Sequence, residues 1–310
     1  MSARVPLGAQ RLVLVTGKGG VGKSAVTAAL AHAAAAAGRR VLAVEVGTGR
    51  LGPIFGRDLG TEPVSIGPRL QAAAIEPEAA LADFVLGVLR LKVLARRLLE
   101  STTFQVLAAA APGLPELLVL HKLSAWLDAR RLGRAVYDLV IVDAPASGHS
   151  LPLLSAPRTL GALAPIGPVA DLLRRMQARL TDPAETLVCV VTTPEEFAVR
   201  ETIELHHELV ETLGLPVGPP IVNAMPPRRF GTADEPALAR LDAATPEHPH
   251  LVAARFERTR RAEAATQVKA LKRALRTAPV ILPFLFAGPE DPDGFARLTE
   301  DLAQAAGLGA

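Results

Sequence analysis

The sequence predicts a doubly wound α/β fold, on three observations: short apolar runs rich in β-branched residues, helical stretches between most of them, and glycines closing the first two runs. Runs that carry apolar residues on both faces belong in a mostly parallel sheet wrapped by helices. Arg11 to Thr16 (RLVLVT) reads as the first strand, and the Ala-rich stretch Lys23 to Ala37, stopping at Gly38, as the first helix. Arg40 to Val46 (RVLAVEV) is the second strand, bounded by Gly47 and Gly49. Further buried strands are expected at Leu70 to Ile75, Tyr137 to Val142, Leu187 to Thr192, Val217 to Asn223 and Val280 to Leu285. Two stretches interrupt the alternation as helical insertions on the sheet, Pro77 to Arg131 (wholly helical) and Leu151 to Thr181 (broken by prolines and glycines). Thr232 to Pro249, rich in Pro, Asp and Glu, reads as an exposed loop before a long charged helix, Leu251 to Arg276. With no internal repeat and no clean linker, residues 1–310 read as one domain.

Composition narrows the function. A chain of 310 residues buries roughly three quarters of its unfolded surface, so disulfides are not required. Mean hydropathy is high at +0.28. Even so, no run reaches the ~18 apolar residues of an integral membrane span: Pro112, Gly113, Pro115 and Glu116 break one candidate, and Gly161, Pro165, Gly167 and Pro168 another. The opening MSARVPLGAQR has no apolar core before Arg11, so a cytoplasmic location is expected. The single Cys189 excludes an intrachain disulfide and any site built from several thiolates of this chain. A formal charge of +3 and 4% aromatic residues do not describe a nucleic-acid binder.

The chemistry is concentrated between the first strand and the first helix. GKGGVGKS, Gly17 to Ser24, satisfies G-x-x-x-x-G-K-[ST] in the strand-to-helix context that a phosphate-binding P-loop requires. Gly17, Gly19, Gly20, Val21 and Gly22 supply backbone N–H groups around a triphosphate, Lys23 reaches its outer phosphates, and the Ser24 hydroxyl completes a Mg²⁺ shell. Turn geometry alone asks for neither lysine nor serine there. ATP and Mg²⁺ are the expected ligands. Lys18, a second lysine inside the loop, occupies the position that marks the deviant Walker A group, in which this lysine contacts phosphates held by a neighbouring subunit. A solvated surface lysine is the plainer alternative.

DAPASGHS, Asp143 to Ser150, follows the run YDLVIV. Together the two motifs resemble the ArsA-type ATPase family, the arsenite-pump and tail-anchored-targeting ATPases, whose switch II reads D-T-A-P-[TS]-G-H-[TS]-L. The resemblance implies that Asp143 holds Mg²⁺ through water and that Gly148 senses a γ-phosphate through its N–H. His149 matches the family histidine without a derivable chemical role. APGLPE (Ala111 to Glu116) is similar to the family's P-G-[IL]-x-E segment and PEEFAVRET (Pro194 to Thr202) to its P-E-x-x-x-x-x-E-T helix start. IVNAMPP (Ile221 to Pro227) is similar to the strand whose asparagine reads adenine, which makes Asn223 the base-reading residue, with a strand-end turn as its alternative role. LPFL (Leu282 to Leu285) resembles the strand that flanks the base and brings in Pro283. The closest form of the family is a short bacterial branch usually encoded beside a sister ATPase.

One family element is missing. Where switch I carries S-T-D-P-A-H, this chain has EVGTGR, which sets Gly47 at the aspartate that orients the attacking water. Loss of such a base costs about 10² to 10⁴ in rate, so slow hydrolysis is expected of this chain alone. Glu45 stands two residues too early and reads as a buried acid behind the site, with assistance to Mg²⁺ or the water as its alternative role; Arg50 reads as a solvated loop cation. The resemblance implies a dimeric nucleotide switch, either a homodimer or a heterodimer in which Lys18 completes the site of a sister ATPase. A non-hydrolysing regulatory or scaffold subunit and a ParA/MinD-like positioning ATPase are the alternatives. Leu81, Phe84, Val85, Val88, Leu89 and Leu94 have the spacing of a groove for a hydrophobic helix client, and equally of a helix packed on its own core.

Overall fold

The computed structural model describes residues 7, 10–47, 50–76, 80–81, 84–85, 101, 113–163, 166–231, 233–244 and 248–308. Strands β1 (Leu12–Gly17), β2 (Val41–Val46), β3 (Val64–Gly67), β4 (Leu70–Ile75), β7 (Leu139–Asp143), β8 (Thr186–Thr192), β9 (Ile221–Met225) and β10 (Val280–Pro283) form one sheet in the order β10-β9-β8-β1-β7-β2-β4-β3. All neighbours pair in parallel except β3, an antiparallel edge on β4. A short antiparallel hairpin, β5 (Arg130–Arg131) with β6 (Arg134–Ala135), stands apart.

Side chains alternate across the pleat and so feed two cores. Val13 and Val15 of β1 join the core beneath α1 (Lys23–Ala36), α2 (Leu51–Phe55) and α9 (Pro292–Ala306). Leu12 and Leu14 join the opposite core, under α3 (Leu114–Asp128), α4 (Ser147–Leu163) and α5 (Pro168–Thr181). α1 is Ala-rich because it lies against the sheet along most of its length, and ten of its fourteen residues are buried. α6 (Glu196–His207) follows β8 and continues as a π-turn over Glu208–Thr212. α7 (Glu235–Ala244) and α8 (Pro249–Leu275) lie between β9 and β10.

Every strand expected from the sequence is present; β3 was not expected, β7 starts at Leu139 rather than Tyr137, and four further departures follow. Arg130–Arg131, inside the stretch expected to be wholly helical, pairs as a strand through a turn in which Leu132 and Gly133 take positive φ. Thr232 to Pro249 is not all loop: α7 occupies Glu235–Ala244. β9 starts at Ile221 rather than Val217, because Pro219 and Pro220 have no N–H for the ladder; Val217 makes only an isolated bridge to Val188. β10 ends at Pro283, two residues early. Of the insertion expected at 77–131, residues 77–79, 82–83, 86–100, 102–112 lie outside the described residues, and with them Val88, Leu89 and Leu94. Leu81 and Phe84 pack on the core under α3, with Phe84 edge-on to His121 at 5.3 Å, and Val85 is buried. For these three the plain packing role holds.

Candidate nucleotide site

Parallel strands β1, β7 and β2 end side by side, so the loop after β1, Asp143 at the end of β7 and the turn after β2 converge at one edge of the sheet. The first loop is closely fixed. Gly17 has φ +144, and a Cβ there would meet the Val191 carbonyl oxygen of β8 at 2.1 Å; Gly22 has φ +91, and its Cβ would meet Asn223 Nδ2 at 2.2 Å. Asn223 explains the second crowding, since its Nδ2 donates to the Val21 carbonyl at 2.9 Å and ties β9 to the loop. Lys23 Nζ donates to the Lys18 carbonyl at 3.1 Å, closing the loop on itself. Gly22 caps α1 without a side chain, so the first-turn N–H groups of the helix face the loop's concavity, the arrangement that attracts anions.

Ser24 Oγ donates to Asp143 Oδ2 at 2.5 Å. Asp143 Oδ1 is buried without a hydrogen-bond partner among the described residues. Burial pushes the Asp143 carboxyl up to about 6 and nearby Glu45 pushes the same way, while the Ser24 hydrogen bond, the Lys23 charge and the neighbouring Thr27 hydroxyl oppose them. Burial also lowers Lys23, against the pull of Asp143. A buried carboxylate with a spare lone-pair site, a hydroxyl and an ammonium around one space are all improved by a divalent cation and an anionic ligand, so the residues present fit Mg²⁺ and a phosphate chain. The space is a cavity of about 880 Å³, lined by Lys23 and Ser24, by Gly47 and Arg50 after β2, by Glu116 of α3 and by Asp143.

Of the residues expected at the site, Gly20, Gly22, Lys23, Ser24 and Asp143 line this cavity. Gly17 ends β1 and Val21 is buried beneath the loop. Gly19 is exposed, its Cβ position 4.0 Å from Ala146. Gly148 is exposed in the first turn of α4, beyond the Ala144, Pro145 and Ala146 that form the wall. Lys18 turns away to pair with Glu201 of α6 at 3.1 Å, both side chains about two-fifths exposed. Pro283 pairs in register with Met225 and lines neither this cavity nor a second one of about 590 Å³, which Gly20, Ala224, Arg260 and Phe284 share. His149 lies among residues whose side chains are not described.

Glu45 fits the buried acid expected of it: it stands in register with Asp143, and its Oε2 accepts from the Leu51 N–H at 2.7 Å, anchoring α2. Arg50 is exposed as expected, yet belongs to the cavity wall. Three contributions were not read from sequence: Glu116 in that wall, Glu201 as the partner of Lys18, and a buried hydroxyl pair in which Thr16 Oγ1 donates to Ser150 Oγ at 2.8 Å, joining β1 to α4. The first two sat inside motifs whose individual acids carried no assigned role. The third pairs residues 134 positions apart and had no signal.

The sequence profile of the anion-transporting ATPases matches residues 10–166, which spans the loop, Gly47 and Asp143. The chain is 34% identical over 235 residues to the ATPase BagA of Mycobacterium tuberculosis, covering 72% of this chain and 68% of that protein. It is 27% identical over 323 residues to an arsenical pump-driving ATPase of Escherichia coli, covering 93% of this chain and 53% of that one. An arsenical pump-driving ATPase of Acidiphilium multivorum is 28% identical over 269 residues, covering 76% and 44%. The chain thus spans about half the length of these two pump ATPases. With the phosphate loop and the acidic strand end meeting in one cavity and the profile running through both, the chain belongs to the ArsA-type anion-transporting ATPase family.

Proposed function

We propose that this ATPase works as a dimeric, magnesium-dependent nucleotide switch that turns over slowly by itself. The observation that carries the reading is the cavity in which Lys23, Ser24 and Asp143 meet, with one Asp143 oxygen buried and unpartnered among the described residues. In this reading the N–H groups of the loop and of the first turn of α1 hold the phosphates, and Lys23 neutralises the outer ones. Ser24 and Asp143 would hold Mg²⁺, Asp143 through water, and the ion when bound would neutralise charge on the transferring phosphoryl group. Asn223 positions the loop through Val21 and keeps its oxygen for the adenine amino group. Gly148 senses the γ-phosphate, while Pro283, which lines neither cavity, draws no support as the edge of the base site.

Lys18 acts in the opposing subunit. Its contact with Glu201 is a surface ion pair worth about 0.2–1 kcal/mol, whereas a charge-assisted hydrogen bond to phosphate is worth about 1.5–3 kcal/mol, so a facing triphosphate outcompetes the pair. The partner is a second copy or a sister ATPase. The arsenite role named for the pump ATPases does not carry over. As(III) needs several thiolates, and this chain has the single Cys189, whose thiol is pushed up to about 12 by burial. No described helix is long and apolar enough to cross a membrane.

The test is particle mass with and without Mg·ATP. Association with ATP, abolished by Lys18→Ala while nucleotide affinity stays within about threefold, supports the reading; a particle whose mass ignores saturating ATP refutes it. A non-hydrolysing scaffold subunit remains the second reading, favoured by Gly47, and single-turnover conversion of bound ATP to ADP separates the two. A membrane-positioning role of the ParA/MinD kind draws no support from α9, which buries Leu298 and Leu302 in the core under α1 and carries one basic residue, Arg297.

A further inference from the structure

Hydrolysis needs a carboxylate beside the attacking water, and in the family pattern that the sequence resembles that position falls on Gly47. The turn after β2 offers no replacement: Glu45 is buried, bonded to the Leu51 N–H, and absent from the cavity wall. Among the described residues that line the cavity, the carboxylates are Asp143 and Glu116. Asp143 is committed to Ser24. Glu116 has neither a hydrogen bond nor an ion pair among the described residues and is half-buried.

Its placement is well supported. α3 begins at Gly113, φ +81, where a Cβ would lie 2.5 Å from the Leu160 side chain of α4, so the start of α3 rests directly on the helix that follows Asp143. Pro115 presets the first turn, and Leu117, Leu118 and Leu120 are buried behind it, while Glu116 lines the cavity together with Pro115 and Val119. A carboxylate in a helix's first turn is also favoured by the helix dipole.

We infer that Glu116 is the general base for ATP hydrolysis in this chain, reaching the attacking water from α3 in place of the absent switch I carboxylate. The inference rests on the hydrolytic reading above. A water oxygen bonds to the γ-phosphorus as the bond from that phosphorus to the bridging oxygen breaks, its electron pair leaving with ADP. The water proton passes to the Glu116 carboxylate, which returns it to the phosphate product. Because α3 rests on α4, a shift of α4 on nucleotide binding also moves Glu116.

The test is single-turnover hydrolysis of Mg·ATP by the full chain, with ATP affinity measured separately by calorimetry and folding by circular dichroism. Glu116→Gln should lower the rate about 10²- to 10⁴-fold and leave affinity within about threefold, while Glu116→Asp keeps measurable turnover. Gly47→Asp in the Glu116→Gln background should recover at least about tenfold. The space is available, since a Cβ at Gly47 meets nothing within 4 Å, although the φ of +77 strains an aspartate there. Wild-type rates in folded Glu116→Gln overturn the inference and leave the ATPase reading intact, as does a loss of ATP affinity matching the loss of rate. If Glu116→Gln does not fold, Glu116→Asp decides: a full wild-type rate in that variant, unchanged by Gly47→Asp, overturns the inference. Wild-type protein that binds ATP and leaves it intact overturns both readings.

Discussion

The two loops that flank Asp143 leave neighbouring parts of the same sheet and are built in opposite ways. The loop after β1 is held from three directions: by the Val191 carbonyl against Gly17, by Asn223 on Val21, and by Lys23 on the Lys18 carbonyl. The turn after β2 leans on one described side-chain anchor, Glu45 to the Leu51 N–H, and a Cβ at Gly47 would meet nothing within 4 Å. Binding chemistry sits where backbone from several strands fixes it. Gly47 sits where a Cβ would find open space, although its φ of +77 strains any residue other than glycine. A site in which packing and ligand contact depend on the same atoms resists change more than one held by a single described side-chain anchor and by backbone bonds such as Gly47 N–H to the Ile75 carbonyl.

Three perturbations probe this contrast. The largest effect belongs to Gly22→Ala. A Cβ 2.2 Å from Asn223 Nδ2, on a backbone at φ +91, should destabilise the fold by about 2–4 kcal/mol and weaken ATP binding at least about 100-fold, seen as a lowered Tm and lost calorimetric heat. A Gly22→Ala variant as stable as the wild type would mean that the first loop is no better fixed than the second.

The second perturbation is pH. Asp143 has a folded value of about 6, above the ~3.9 of an unfolded aspartate. The folded state therefore takes up a proton more readily than the unfolded one. Its contribution to stability is fully present below about pH 4 and is lost as pH rises through about 6, at a cost on the order of 2–3 kcal/mol at neutrality. Mg·ATP needs the ionised form, so affinity should fall about tenfold between about pH 7 and pH 5. Asp143→Asn should raise the Tm of the free protein at neutral pH and remove this part of the pH response. A Tm that drops instead would assign Asp143 to the scaffold.

The smallest effect is expected of Glu201→Ala. Removing the partner of Lys18 breaks a pair worth about 0.2–1 kcal/mol, so ATP-dependent association should strengthen about two- to fivefold with little change in Tm. Weaker association would show that Glu201 presents Lys18 to the facing subunit.

Much of the binding side was legible in the sequence because its signals are local. GKGGVGKS and DAPASGHS each follow an apolar run, and a parallel sheet brings the ends of such runs together, so Lys23, Ser24 and Asp143 could be assigned to one site. Less was visible at Asn223, whose amide nitrogen serves the loop, and at Pro283, which stays in the strand register. The hairpin at Arg130–Ala135 was missed because two-residue strands show no periodicity, and α7 because Glu235–Ala244 sits in a segment dominated by turn residues.

The amino-acid order alone determined the α/β alternation, the phosphate loop, the acid at the end of β7 and the glycine at position 47, since each depends on residue identity within a short window. Tertiary structure decided which side chains share a space. It brought Glu116 from α3 into the wall that contains Lys23, set Glu201 against Lys18 from 183 residues away, and buried Thr16 with Ser150. These contacts depend on how helices on the two faces settle against a common sheet, which is fixed by packing summed over the whole chain rather than by any local motif.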